Sequence, residues 1–148
     1  MSWNPHVTVA AVITDADGRY LLVEESPDGI PVFNQPAGHL EADENLIEAV
    51  CREVREETCR EFTPEALIGI YQWVSPNGAT YLRFCFSGRV GNPLPDCQLD
   101  SDIIATHWAS PADLANATYP LRSPMVLQCI QDHAAGKEIT LDMLHQVT

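Results

Sequence analysis

Residues 38–61 read GHLEADENLIEAVCREVREETCRE, and this stretch decides how the rest of the chain is interpreted. Wound as an α-helix at about 100° per residue, it places Leu46, Ile47, Val50 and Val54 in one apolar stripe. A stripe of that kind packs on a sheet. Glu57 projects into the stripe between Leu46 and Val50, Glu53 lies beside it, and Glu56 is one step further round. A helix made only for packing would carry Leu or Val where Glu57 stands. Like charges at these spacings repel, a helix C-terminus disfavours anions, and partial burial raises carboxylate pKa values. A bound divalent cation removes all of these conflicts together. The competing description is a solvated acidic face, for glutamate is a good helix former; the wheel positions of Glu53 and Glu57 argue against it. Arg52 has Glu48 and Glu56 at i−4 and i+4. It makes either weak surface pairs, worth under about 1 kcal/mol, or a clamp fixing the carboxylates and the preceding loop, with Glu44 as its partner there.

Working outward, Val7 to Ile13 is β-branched and reads as a strand. Asp15-Ala16-Asp17-Gly18 is a turn, and Tyr20 to Val23 is expected to return as the hairpin partner. Ser26 to Pro36, with three prolines and a glycine, reads as a loop. Asp43 is the expected cap of the helix, which runs to about Thr58. Strands follow at Leu67–Val74 and Tyr81–Val90, turned by Ser75-Pro76-Asn77-Gly78, and another at Ile103–Trp108. Ser110-Pro111 and Ser123-Pro124 each start a short helix. Gly136 ends the second, whose apolar face is Val126, Leu127, Ile130 and Ala134. The sum is an α/β layered domain spanning residues 1–148, a mixed β-sheet sandwiched between helices (α/β/α).

Net charge is −13, with one lysine, Lys137, and seven arginines. A nucleic-acid polymer would be repelled. A small phosphorylated substrate is compatible, provided divalent cations bridge carboxylate and phosphate. The five cysteines, Cys51, Cys59, Cys85, Cys97 and Cys129, are odd in number and lack zinc-knuckle spacing, so reduced, mostly buried thiols are expected. No apolar run approaches the roughly 20 residues of a membrane span. The N-terminus lacks signal-peptide character, so a cytoplasmic location is the default expectation.

Gly38, five residues, Glu44, seven residues, then Arg52-Glu53-Val54-Arg55-Glu56-Glu57 resembles the Nudix box. The box continues with Gly and an aliphatic residue where this chain has Cys59 and Arg60. That Gly ends the helix in a left-handed conformation. Cys59 does not favour it, so the helix is expected to run on towards Thr63-Pro64. Further matches, among them Asn34-Gln35-Pro36-Ala37-Gly38, Leu82-Arg83-Phe84, Asp100-Ser101-Asp102-Ile103 and Leu121-Arg122-Ser123-Pro124, are similar to the NudJ group of phosphatases.

The resemblance implies the Nudix fold and a Mg²⁺-dependent hydrolase, with Mn²⁺ the alternative ion. The NudJ group acts on the pyrimidine pyrophosphate precursor of thiamine, on thiamine pyrophosphate and on nucleoside di- and triphosphates. Two other readings stand beside it: a pyrophosphatase releasing a nucleoside monophosphate, and a binding module without turnover. The box assigns Glu53, Glu56 and Glu57 as metal ligands together with the Gly38 carbonyl, and Arg52 and Glu44 as their support. Glu53 is alternatively the base that deprotonates water. Asp100 or Asp102 is a base outside the box, or a polar turn. Arg83 and Arg122 are candidate phosphate contacts, or solvated surface. Trp73 and Phe33 either stack on a substrate ring or pack internally. Monomer and homodimer both remain open.

Overall fold

In a computed structural model that describes residues 2–148, the strands form two sheets. They are β1 (His6–Ile13), β2 (Tyr20–Glu25), β3 (Val32–Asn34), β4 (Ala37–His39), β5 (Phe62–Val74), β6 (Thr80–Val90) and β7 (Ile103–Ala109). The helices are α1 (Leu46–Thr58), α2 (Pro111–Ala115) and α3 (Pro124–Ala134), with a 3₁₀ turn at Leu141–Met143. One sheet has the order β4-β1-β6-β5, with β1 parallel to β6 and its other pairings antiparallel. The other, β3-β2-β7, is antiparallel throughout.

β1 explains the layering. Its side chains alternate between faces. Val9, Ala11 and Ile13 join Val50 and Val54 of α1, Leu67 and Phe86 in one core. Ala10 and Val12 join Ile68, Cys85 and Val126, Cys129 and Ile130 of α3 in the other. A strand covered on both faces must be apolar at every position, which is why Val9 to Ile13 shows no polar alternation. The chain is thus of the α/β class, with a mixed sheet between α1 and α3. Among the described residues no helix is long and apolar enough to cross a membrane.

Several local expectations are corrected. β2 is not the hairpin partner of β1: both edges of β1 are taken, by β4 and β6, and an isolated Thr14–Tyr20 bridge forms just past the end of β1. The turn between them does form, held by Asp15, which accepts the Gly18 and Arg19 N–H groups. The segment expected as a loop contains β3. β5 starts five residues before Leu67, and register shifts beside Pro64 and Leu67 let the strand absorb a proline. The cap of α1 is Asn45, not Asp43. Asn45 and Glu48 form a reciprocal capping box, with Asn45 Oδ1 accepting Glu48 N–H at 2.8 Å and Glu48 Oε1 accepting Asn45 N–H at 3.0 Å. Asp43 sits before it at φ 64°, in the left-handed region.

α1 does not run on past Thr58. Cys59 adopts φ 55°, ψ 37° and ends the helix as a glycine would. Nor are all thiols reduced: Cys59 and Cys97 form a disulfide across 38 residues, with Cα atoms 5.8 Å apart. Cys51, Cys85 and Cys129 are free thiols, the last two buried.

The capping geometry makes a direct prediction. Asn45→Ala removes a reciprocal cap and should cost about 1 kcal/mol in urea unfolding. Asp43→Gly relieves a left-handed β-carbon and should leave stability unchanged or slightly raised. Equal losses in the two variants would contradict the assignment of the cap.

Candidate active site

The last two turns of α1 lie beneath β4, and the carboxylates are caught in that seam. Glu57 is 8% exposed, and its Oε1 accepts the Ala37 N–H at 2.8 Å. Glu53 is 9% exposed and sits directly under Gly38. A β-carbon at position 38 would fall 2.1 Å from Glu53 Cδ, so any larger residue would push the Glu53 carboxylate aside. Burial pushes the Glu57 carboxyl up to about 9, the charges of Glu53, Glu25 and Asp100 add to the rise, and the Ala37 N–H opposes it. Burial also raises Glu53, opposed by Arg52. Glu56, by contrast, is exposed.

Arg52 is the clamp rather than a surface pair. Its Nη2 and Nε bind both oxygens of Glu44 at 2.7 and 3.0 Å, a fork-to-fork pair. Nη2 also donates to the His39 carbonyl at 2.9 Å, and Nη1 to Glu53 Oε1 at 2.7 Å and Glu56 Oε2 at 3.3 Å. Glu44 Oε1 in turn accepts the Glu41 N–H at 2.7 Å. One guanidinium therefore joins β4, the following loop and two helix carboxylates, and these partners hold its pKa above the ordinary arginine value. Among the described residues no three acidic, His or Cys side chains already converge as a closed ligand set. One oxygen of Glu53 is held by Arg52 and one of Glu57 by Ala37, and each keeps a second oxygen outside those bonds.

The residues outside the helix divide. Asp100 is brought to the centre: its N–H donates to the Glu56 carbonyl at 2.8 Å, and its charge acts on both Glu53 and Glu57. Asp102 lies nearer Glu25. Glu25 itself has no counterpart in the sequence-based expectations. It stands at the end of β2, where a register shift against β7 re-aims the strand. Burial raises its pKa, and Arg122 binds it. Adjacent acids ending a strand, Glu24-Glu25, were the only signal for it, and a weak one.

Arg122 is exposed and lines an open hollow with Trp73, Val74, Leu121, Pro124 and Leu127. Trp73 also packs against Tyr81, with ring centroids 5.8 Å apart. Arg83 is not solvated surface: it is 5% exposed and donates to Gln35 Oε1 at 2.9 Å, and its Nε has no partner. Phe33 packs internally, edge-on to Tyr119 and His107. A separate polar hollow, lined by Asp15, Glu65, Arg89, His133 and Lys137, contains no residue of the carboxylate cluster.

A NUDIX domain model matches residues 4–129. The chain is 42% identical over 142 residues to Phosphatase NudJ of Escherichia coli strain K12, covering 96% of this chain and 92% of that protein. Among solved structures, a NUDIX hydrolase from Nitrosomonas europaea superposes with a TM-score of 0.92 at 50% identity, covering 97% of this chain and 98% of that one. The NUDIX domain of Shewanella oneidensis NrtR, crystallised with ADP ribose, has a TM-score of 0.73 at 22% identity over 91% of this chain and 90% of its own, a likeness of fold alone. The chain belongs to the Nudix family, and it is a hydrolase. Within the family it is similar to the phosphatase NudJ.

The buried acid carries a pH signature in the metal-free protein. A carboxyl raised in the folded state stabilises fully below its unfolded pKa, and that contribution is lost as pH rises through the folded value. In EDTA, wild-type Tm should therefore fall between the ordinary glutamate pKa of 4.5 and the raised value of about 9. Glu57→Gln keeps an acceptor for Ala37 but no charge, so its profile should be flatter and lie above wild type at pH 8. Parallel Tm–pH curves for the two proteins would contradict the burial argument.

Proposed function

We propose that this hydrolase is a Mg²⁺-dependent phosphatase that releases inorganic phosphate from small diphosphate-containing molecules. The substrates proposed are thiamine pyrimidine pyrophosphate, thiamine pyrophosphate and nucleoside di- and triphosphates. The observation that carries it is the burial of Glu53 and Glu57 together under β4, with Asp100 and Glu25 close enough to raise the same carboxyl. Such a concentration of acids ionises near neutral pH only against a cation. The donors are all oxygen and include a partly exposed carboxylate at Glu56, which suits a hard divalent ion that keeps some of its water. The similarity to NudJ over almost the whole chain favours phosphate release.

Glu53, Glu56, Glu57 and the Gly38 carbonyl would hold Mg²⁺, with Mn²⁺ as a substitute. When bound, the ion supplies charge neutralisation on phosphate oxygens and lowers the pKa of its own water. The chain does the rest. Arg52 and Glu44 hold the loop against the helix and fix Glu53 in direction. Glu53, if not a ligand, takes the proton from water, and Asp100 is placed for the same task. Asp102 is the more distant candidate.

Arg122 stands free to exchange Glu25 for a phosphate oxygen, since its guanidinium suits either anion. Trp73 offers one face of the hollow beside Arg122 to a planar ring. Arg83 is tied to Gln35 rather than free for a phosphate, and Phe33 packs in the core beside α3 rather than offering a face to a ring.

The test is phosphate release with Mg²⁺ across those substrates. Release should vanish in EDTA and fall by at least about 10²-fold in Glu57→Gln, the range for loss of a group stabilising transition-state charge. Gly38→Ala forces Glu53 aside and should lower kcat by up to about 10²-fold, the effect of a misplacement of about 1 Å. Nucleoside monophosphate as the only product would move the assignment to a pyrophosphatase. Undiminished activity in Glu57→Gln would remove the proposed metal centre.

A further inference from the structure

Cys59 and Cys97 are bonded in a place where hydrolysis has no need of sulfur. Cys59 ends α1 in the left-handed conformation, which a β-carbon disfavours and glycine takes freely. Asp96, beside the partner cysteine, is left-handed as well, at φ 55°. Cys97 belongs to segment 91–102, which contains neither helix nor strand.

That segment is folded back onto the end of α1 by backbone bonds on both sides of Cys97. Leu94 N–H donates to the Cys59 carbonyl at 2.7 Å, and Asp100 N–H to the Glu56 carbonyl at 2.8 Å. The covalent bond lies between these two contacts. Its ends are also bonded, Gly91 to the Glu61 carbonyl and to Arg60, and the Asp100 carbonyl to the Ile103 N–H, while most side chains between them are exposed. What it presents to the centre is Asp100, whose charge reaches Glu53 and Glu57. Cys97 is only half-buried, between the exposed residues Asp96 and Gln98, so a small thiol can reach its sulfur.

We propose that Cys59–Cys97 is a thiol-exchange site that sets the cation affinity of the carboxylate centre by holding Asp100 against the end of α1. The proposal rests on the metal-centre reading above. The co-reactant is a dithiol. Its thiolate attacks Cys97 Sγ, forming a mixed disulfide, and Cys59 leaves as a thiolate that takes up a proton. The second thiol of the reductant then displaces Cys97 Sγ, which is protonated in turn. The protein gains two thiols, two electrons and two protons, and the dithiol becomes a disulfide. With the bond open, segment 91–102 is held by hydrogen bonds alone, and Asp100 spends less time near the carboxylates.

The experiment compares air-oxidised wild-type protein with the same protein after dithiothreitol, reading two quantities. The first is amide hydrogen exchange of the 91–102 peptide by mass spectrometry, without metal. Reduction should accelerate it about tenfold, as expected of a locally opened segment. The second is Mg²⁺ affinity by calorimetry, which should weaken at least about threefold as one nearby anion is released. Oxidised glutathione should restore both. Cys97→Ser should show the reduced values with or without dithiothreitol. Cys59→Gly should do the same while keeping the left-handed helix end, so it separates loss of the bond from loss of the fold. Unchanged exchange on reduction overturns the tether, and faster exchange with unchanged Mg²⁺ affinity overturns its link to the centre. Absence of phosphate release in every state would count against the hydrolytic reading alone, since neither quantity depends on turnover.

Discussion

The structure turns on a carboxyl placed where a packing helix would have a methyl group. Glu57 lies on the face of α1 that meets the sheet, with a strand N–H against one of its oxygens. Two turns earlier the same face is Val50, fully buried. The same helix face is therefore apolar at its N-terminal end and carries buried acids at its C-terminal end, and the change takes place without a break in the helix. Gly38 makes this tolerable: the absence of a β-carbon lets β4 close over Glu53.

Arg52 supplies the cohesion that the acids lack. Four acidic side chains and a carbonyl surround it, the closest at 2.7 Å. Without that cation the loop 40–44 and the helix would share only repulsive charge. The arginine faces one oxygen of Glu53 and leaves the opposite side of the cluster electronegative. The ion-paired arginine and the buried acids thus lie side by side on one helix.

Much of this was legible in the sequence because it is local. The helix wheel puts Val50 and Val54 on the core side with Glu53 and Glu57 beside them, and these four are buried; Glu44 is close enough along the chain to be Arg52's partner, and it binds Arg52. What was not legible involves distant partners. β1 and β2 are joined by a hairpin-type turn, yet they separate into two sheets because β6 takes the edge that β2 would occupy. Glu25 reaches the centre only through the register of β2 on β7. The Cys59–Cys97 pair carries no spacing signature, and the left-handed Cys59 runs against its intrinsic preference; the disulfide and the bonds around it outweigh that preference. Arg83 looks like any strand-borne arginine until Gln35 is seen to bind it.

If Glu57 is the buried acid of a cation site, binding of a divalent cation displaces its proton. Calorimetric titration of the metal-free protein with Mg²⁺ at pH 7.5, repeated in buffers of different ionisation enthalpy, counts protons released per ion. A carboxyl held near 9 is almost fully protonated at that pH, so about one proton should be released per ion bound. Mg²⁺ binding with no proton release would show that Glu57 is already ionised or lies outside the site, and would exclude the exchange of its proton for the cation.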